Sequence, residues 1–472
     1  MSAEPGRQIK TMKDPLVSVY VTNFNYGRYI RTALESVYQQ SFKDFELIII
    51  DDGSTDDSRE IIAGYSGRPQ TRIILQDNKG LNATNNIAVR AARGKYIMRL
   101  DADDFLNENA LLVMTTMLEN DPELALVFPD YFYVDDSGEV TGQERRHNFQ
   151  RDVTLLDQPA HGACTMIRRD VLIEVNAYSE GYRAQDGYDL WLKIIERYKV
   201  GNVDLPLFSY RRHTDNLTNN QELILRTRSE ILKAHAKRAD RPHLGTICVI
   251  PVRGRAIDTQ CMSYEMLDGK RLINWTIDAA LGADNLDEVI VSSPDENLLK
   301  MIVADYGDRV GVHLRPREQG LENVSYDDGV FGALAGRRSS GPVDAIMLLT
   351  IDAPFRSSFY IDKAISVMQV FSVDVVLGVL PDNDLFLQHN GAGLTAIGTN
   401  AMKGPLRFER DYIYRHSGGA VLVRKSFYEK NFGRPLEGRI GHFVLSRQAA
   451  TSVRTPLELK IAEAILNYEA GR

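Results

Sequence analysis

Short apolar runs, each stopped by a polar or acidic turn and each followed by a helical pattern, fill the first hundred residues. Val17 to Val21 is a β-rich run ending at Thr22-Asn23-Phe24-Asn25, and Leu47-Ile48-Ile49-Ile50 is stopped by Asp51-Asp52-Gly53-Ser54. Arg72 to Leu75 is a third run, and Tyr96 to Leu100 leads straight into Asp101-Ala102-Asp103-Asp104. Between them, Ile30, Ala33, Leu34 and Val37 recur at helical spacing. Ser58 to Tyr65 reads as a helix that Asp56 or Asp57 can cap, and Leu81 to Ala92 as a helix with Gly94 as its C-cap. The βαβαβαβ order predicts a doubly wound parallel sheet. Beyond it, Leu124 to Val134 reads as strands with a turn at Asp136-Ser137-Gly138.

Open α/β sheets bind ligands at the carboxyl ends of their strands, where Asp101, Asp103 and Asp104 emerge. Like charges so close are costly to ionise unless a cation bridges them. Hard divalent ions take such oxygen ligands and share them with substrate phosphates. A calcium loop of the EF-hand type is excluded by spacing, because its sixth position would be Leu106 and its twelfth Leu112.

A chain of 472 residues holds two or three domains, and its net charge of −8 argues against a general nucleic-acid binder. No apolar run approaches the ~20 residues of a membrane span. Met1 to Asp14 is polar, without a signal-peptide core, and is expected to be a flexible N-terminus. Cys164, Cys248 and Cys261 are too far apart for a disulfide framework or a CxxC site, which fits a reducing cytoplasm.

A second α/β pattern begins at Gly245. Thr246 to Val252, Val289 to Val291, Ala345 to Thr350 and Val373 to Leu380 are strand-like, and Leu272 to Leu281 and Glu296 to Tyr306 are helical. The fold class expected is therefore α/β, two Rossmann-like αβα domains. Residues 15–220 form the first and 244–472 the second, joined by a helical linker at 221–243 that is rich in Arg and Lys and ends near Pro242. That linker is either a solvated connecting helix or a docking surface for anionic lipid headgroups.

Four segments in order carry a resemblance: Val17 to Asn25, Ile50 to Asp56, Asn78-Lys79-Gly80-Leu81-Asn82, and Leu100 to Asp104. Together they resemble the family 2 glycosyltransferases of the GT-A fold over roughly residues 15–215. The resemblance implies transfer of a sugar from a nucleotide-sugar donor, a UDP-sugar first of all, with inversion at the anomeric carbon. It also implies Mg²⁺ or Mn²⁺ at a DXD motif, in which Asp101 and Asp103 are the metal ligands and Asp103 the better candidate for direct contact. Donor-binding candidates are Thr22, Asn23, Phe24, Asn25, Asp51, Asp52, Asn78 and Arg99. Tyr210-Arg211-Arg212-His213 resembles the family's closing motif, which adds Arg211 and Arg212 toward the diphosphate and His213 as a metal-ligand candidate. The family's Pro before the Thr is replaced by Val21. His161-Gly162-Ala163-Cys164 matches the acceptor-side strand.

Deprotonating the acceptor hydroxyl requires a base. Gln185-Asp186-Gly187-Tyr188-Asp189-Leu190-Trp191 resembles the family's acidic segment, but its Glu-Asp pair is not intact. Anchored on Asp189-Leu190-Trp191, Asp186 takes the place of the Glu; a one-residue slip makes Asp186 the base itself. Asp186 is the first candidate and Asp189 the second.

The second half resembles the cytidylyltransferases that activate acidic sugars, through Val249-Ile250-Pro251-Val252-Arg253-Gly254, Leu267 to Ile277, Leu314-Arg315-Pro316, Leu348 to Arg356 and Thr455 to Leu459. The resemblance implies a nucleotidyltransferase-like fold but not its chemistry. Arg255 to Cys261 lacks the Gly-Ser-Lys-Gly loop, and Ser452 and Arg454 stand where active members carry two metal-binding Asp. Arg315, Arg317 and Arg356 are either carboxylate-recognising or solvated surface residues. The expected acceptor is a glycan or lipid-linked molecule of a surface polysaccharide. The expected setting is the cytoplasm, with room for peripheral association at the inner face of the membrane and for a homo-oligomer. The rival readings are a bifunctional enzyme with an active CMP-sugar synthetase half, and a non-catalytic scaffold that binds nucleotide sugars.

Overall fold

The computed structural model describes residues 14–144, 162–182, 185–213, 221–238, 241–255, 257–321, 324–382, 384, 386–389, 391, 393–396, 413–431, 435–469 and 471. Residues 1–13 of the expected flexible N-terminus and His161 lie outside them. The chain divides into two compact units, Met1–Ile231 and Leu232–Arg472.

The first unit opens with β1 (Val17–Asn23), α1 (Gly27–Tyr38), β2 (Phe45–Asp52), α2 (Ser58–Ala63), β3 (Thr71–Gln76), α3 (Leu81–Ala91) and β4 (Tyr96–Asp101). There follow β5 (Phe105–Leu106), α4 (Ala110–Asn120), β6 (Leu124–Val134), β7 (Val140–Glu144), β8 (Met166–Arg168), α5 (Arg169–Glu174), α6 (Asp186–Ile195) and β9 (Lys199–Arg211), then α7 (Gln221–Ala236), which runs across the boundary between the units. The sheet order is β3-β2-β1-β4-β8-β6-β9-β5, with β7 on β6. β3, β2, β1 and β4 are parallel, the doubly wound half that the sequence predicts. From β8 onward the sheet is mixed: β8 is antiparallel to β4 and β6, and β6 is parallel to β9.

Alternation along β1 explains the layering. Val17, Val19 and Val21 enter one core with Leu47, Ile49 and the α1 residues Ile30, Ala33, Leu34 and Val37. Ser18 and Tyr20 lie on the other face, where Ser18 Oγ donates to Glu46 at 2.7 Å and the Tyr20 and Tyr178 hydroxyls meet at 3.1 Å.

Gly94 is not the C-cap of α3. That helix ends at Ala91 and Ala92 is extended. Gly94 instead lets the chain pass against β1, where a Cβ would stand 2.5 Å from Ser18 N and 2.7 Å from the Val17 carbonyl carbon. Pro242 does not stop α7 either; the helix ends six residues earlier, at Ala236.

The second unit contains β10 (Thr246–Pro251), β11 (Met266–Leu267), β12 (Lys270–Arg271), α8 (Leu272–Leu281), β13 (Glu288–Ser293), α9 (Glu296–Tyr306), β14 (Gly311–Leu314), α10 (Asp327–Ala335), β15 (Ala345–Leu349) and α11 (Ser358–Phe371). It closes with β16 (Val375–Asp382), β17 (Leu387–His389), β18 (Leu394–Ala396), β19 (Ile413–Arg424), α12 (Lys425–Lys430), β20 (Ile440–Val444) and α13 (Pro456–Glu469). Its main sheet runs β14-β13-β10-β15-β19-β16-β20. The first strand of each unit thus sits between a strand that follows it closely and one that follows much later, the arrangement that opens a crevice at strand ends.

Arg315 and Arg356 are not solvated surface residues: they are 4% and 1% exposed. Arg356 donates to the carbonyls of Gly418 and Gly419 at 2.7 and 2.8 Å, and to Thr350 O and Thr276 Oγ1 at 3.1 and 3.3 Å. Its guanidinium is an internal brace.

Candidate active site

Register brings the polar residues together. Thr22, at the end of β1, pairs with Asp101 of β4 on one side, and Asn23 pairs with Asp51 of β2 on the other. Three strand ends therefore present Thr22, Asn23, Asp51, Asp52 and Asp101 along one sheet edge.

On the β2 side the carboxylates hold the protein's own loops. Asp51 accepts from Asn23 Nδ2 at 2.9 Å, Ser54 N at 3.1 Å and Arg59 Nε at 2.7 Å. Burial pushes its carboxyl up, and the hydrogen bonds from Ser54, Arg59 and Asn23 outweigh that and hold it below the ordinary value. Asp52 accepts from Gln76 Nε2, Lys79 N and Gly80 N at 2.7–2.9 Å, fixing the β3–α3 turn. Asn78 is exposed on that turn, its backbone N only 2.6 Å from where a Cβ on Gly53 would stand. Gly53 has φ +84°, so the side-chain-free residue is needed twice over.

The β1–α1 loop is braced in the same way. Asn25 is left-handed at φ 58°. Its N donates to Ser54 Oγ and its Oδ1 accepts from Thr55 N. Phe24 is left 46% exposed beside this rigid turn. Asn23 is buried, and its Oδ1 has no hydrogen-bond partner.

The β4 side is acidic. Asp101 receives Arg99 Nε at 2.6 Å and Arg99 Nη2 at 2.9 Å, with Thr22 Oγ1 at 3.3 Å. Asp103 Oδ2 lies 3.0 Å from His213 Nε2. Asp104 accepts from Arg211 N, but its Oδ2 is buried without a partner. Burial first, then the charges of Asp103 and Asp101, push the Asp104 carboxyl well above its ordinary value.

Tyr26 and Tyr29, which sequence reasoning did not single out, flank His213 with ring centroids 5.6 and 5.4 Å away. Burial and the Asp103, Asp101 and Asp104 charges push the Tyr26 hydroxyl up, so it stays a neutral donor. Arg59 was missed as well. Its signal is local, since a helical Arg eight residues after Asp51 can reach back to the strand end.

Three expected site residues have side chains engaged within the protein. The Arg211 guanidinium was expected to face a diphosphate, but it is 4% exposed and donates to the carbonyls of Asp103, Asp135 and Asp136. Arg212 is exposed and stacks on Tyr133, 3.5 Å from the ring centroid. Asp189 is buried on α6, where Oδ2 accepts from Ser179 Oγ at 2.7 Å and Lys193 Nζ at 2.8 Å. Asp186 is the first residue of α6, behind a left-handed Gln185, and its side chain lies outside the described residues.

Among the described residues no three of His, Cys, Asp and Glu already converge as a metal site. The Asp103–His213 pair nevertheless fits one divalent ion. Two ligands at about 2.1 Å from an ion and at right angles stand about 3.0 Å apart, and Oδ2 and Nε2 are separated by 3.0 Å.

Residues 18–175 match the family model described as Glycosyl transferase family 2, so the N-terminal part of the chain carries a glycosyltransferase domain of that family. Over 203 residues the chain is 40% identical to a chondroitin synthase of Escherichia coli, covering 43% of this chain and 30% of that protein. It is 29% identical over 204 residues to a hyaluronan synthase of Pasteurella multocida, covering 43% and 21%. The chain thus spans less than a third of the length of either synthase. Among solved structures, Staphylococcus aureus TarS 1–349 in complex with UDP-GlcNAc aligns with a TM-score of 0.41 and 18% identity, over 47% of this chain and 67% of that one. Mannosyltransferase PcManGT from Pyrobaculum calidifontis, in complex with GDP-Man and Mn2+, aligns with a TM-score of 0.39 and 15% identity, over 49% and 67%.

Proposed function

We propose that residues 15–220 transfer a sugar, with inversion, from a nucleotide-sugar donor to a glycan or lipid-linked acceptor. The donor is a UDP-sugar, and the product belongs to a surface polysaccharide. The observation that carries this reading is the Asp103–His213 pair in a buried acidic cluster at the end of β4, beside the braced loops that end β1 and β2. The likeness to chondroitin and hyaluronan synthases supports the donor and product class.

Asp103 Oδ2 and His213 Nε2 would hold Mg²⁺ or Mn²⁺, with Asp101 as a further carboxylate close by. The ion supplies charge neutralisation for a departing nucleoside diphosphate. The exposed Phe24 ring offers a face to the base, and the orphaned Asn23 Oδ1 an acceptor to a donor N–H or hydroxyl. Asp186, at the start of α6, takes the proton of the acceptor hydroxyl as it attacks the anomeric carbon.

The second unit is read as a cytidylyltransferase-like domain without nucleotidyl transfer. Supporting this, Arg454 Nε donates to Asp352 Oδ2 at 2.6 Å, so a guanidinium neutralises a carboxylate at the end of β15 where a metal would be needed. The basic helix α7 is read as a connector, because Arg226 pairs with Glu230 and Lys233 with Asp284. The setting is read as the cytoplasm from the wide spacing of the three cysteines in the sequence; among the described residues no helix is long and apolar enough to cross a membrane.

The test is a nucleotide-sugar panel with Mn²⁺, read as nucleoside diphosphate release with a glycan acceptor. Turnover that Asp103→Asn abolishes supports the reading. A panel without turnover, in which no nucleotide sugar raises the melting temperature, rejects it.

A further inference from the structure

Arg99 and Asp101 stand two apart on β4, so their side chains leave the strand on one face. The Arg99 fork covers both carboxylate oxygens, Nε on Oδ1 at 2.6 Å and Nη2 on Oδ2 at 2.9 Å. The pair is mostly withdrawn from water, with side chains 6% and 22% exposed. Thr22 Oγ1 adds a third donor to Oδ1 from the neighbouring strand. Two residues on, Asp103 turns to His213 instead. One carboxylate of the pair therefore offers both its oxygens to a divalent ion only by displacing a guanidinium, while the other already faces an imidazole.

We propose that Arg99 is a positioning residue that reserves Asp101 until an anionic donor arrives, so that divalent cation and nucleotide diphosphate bind cooperatively. The proposal rests on the glycosyltransferase reading of this site. Its logic is competition between cations. A metal ion and a guanidinium cannot share the Asp101 oxygens without strong repulsion. A metal ion alone finds Asp103 and His213 and must dislodge Arg99 to gain both oxygens of Asp101. Dislodging it without replacement leaves a buried guanidinium short of an anion, which is costly. A diphosphate supplies that replacement, since its paired oxygens match the same fork. Each ligand then raises the other's affinity by one common factor.

The experiment measures Mn²⁺ binding to the full chain by isothermal titration calorimetry, with and without UDP. In the wild-type protein UDP tightens Mn²⁺ binding by about tenfold or more. In Arg99→Gln, Mn²⁺ alone binds about tenfold more tightly than in the wild type, and the effect of UDP shrinks to under about threefold. Arg99→Lys restores part of the coupling, because a point charge can hold Asp101 but not with a fork. A purely structural Arg99 would lower the melting temperature and leave the coupling intact; Arg99→Gln with unchanged Mn²⁺ affinity and unchanged coupling overturns the proposal. Should Arg99→Gln fail to fold, Asp101→Asn serves: the proposal requires it to lose the coupling, and retained coupling overturns it. A wild-type protein that binds neither Mn²⁺ nor UDP rejects the glycosyltransferase reading itself, an outcome distinct from uncoupled binding of both.

Discussion

His213 Nε2 and Asp103 Oδ2 lie 3.0 Å apart although 110 residues separate them. Both side chains are nearly buried, and Tyr26 and Tyr29 close around the imidazole. A buried His–carboxylate pair flanked by aromatic rings has few positions to adopt, which suits a ligand pair whose angle matters. Asp103→Asn and His213→Gln keep the volume and remove a metal-competent atom. Each is expected to lower transfer by about 10²-fold or more. Each should also abolish the rise in melting temperature that Mn²⁺ and UDP produce together in the wild type.

Acid sensitivity is expected from two internal carboxylates, Asp51 and Glu46. Burial raises both, and hydrogen bonds outweigh it: from Ser54, Arg59 and Asn23 to Asp51, and from Ser18 and Arg93 to Glu46. Both folded values therefore lie below the unfolded ones. Their stabilisation is complete above the ordinary carboxylate range, about 4, and is lost as pH falls through it toward the folded values. Urea midpoints measured from pH 7 to pH 3 should drop most steeply below about pH 4.5. The Asp51→Asn, Glu46→Gln double variant should start lower at pH 7 and show a flatter profile. An unchanged profile would show that other groups govern acid unfolding.

The doubly wound half of the first sheet is legible because its strands are short, largely apolar runs, two of which stop at Asp51 and Asp101. The mixed half is not. β8, β6 and β9 pair out of chain order, and that pairing is set by long-range packing. β6 reads as more than one strand because Pro129 interrupts its hydrogen bonding; the chain absorbs this with register shifts around Pro129–Tyr131. Asp101 and Asp103 stand out as a pair, yet only the register of β1 against β4, which no local pattern carries, brings Thr22 beside Asp101. The contact of Tyr26 with His213 has no sequence signal. Nor has the burial of Arg356, since an Arg after Asp-Ala-Pro-Phe looks like a loop residue until Gly418 and Gly419 present their carbonyls to it.

Two arginines of the second unit should differ sharply in the cost of their removal. Arg356 is fully buried, and that burial lowers its pKa to about 10 despite the countering charge of Asp352. Arg356→Met orphans the carbonyls that it serves and is expected to cost about 3 kcal/mol or more. Arg454 pairs with Asp352 through a side chain that is 70% exposed. Arg454→Ala is therefore expected to cost under about 1 kcal/mol and to leave sugar transfer intact. Guanidinium denaturation of the full chain measures both. Pyrophosphate release from CTP and an acidic sugar by the wild-type protein would overturn the silent-domain reading.

Asp189 and Asp186 are the two candidates for the base, and the surroundings of Asp189 argue against it. Asp189 Oδ2 is held by Ser179 and by Lys193 one turn further along α6, with 3% of the residue exposed. Lys193 also donates to Ala177 O and Ser179 Oγ, so the carboxylate anchors the 177–179 segment to the helix. A carboxylate tied to an ammonium inside the protein is a weak proton acceptor, since protonating it would strand the cation. Asp189→Asn should therefore cost about 3 kcal/mol of stability and leave kcat within a few-fold at a temperature where the variant is folded. Asp186→Asn should lower kcat by about 10²–10⁴-fold, the range for a lost general base. Reversal of this split, with Asp189→Asn inactive but stable, would move the base to Asp189. It would also require Lys193 to release the carboxylate when the acceptor binds.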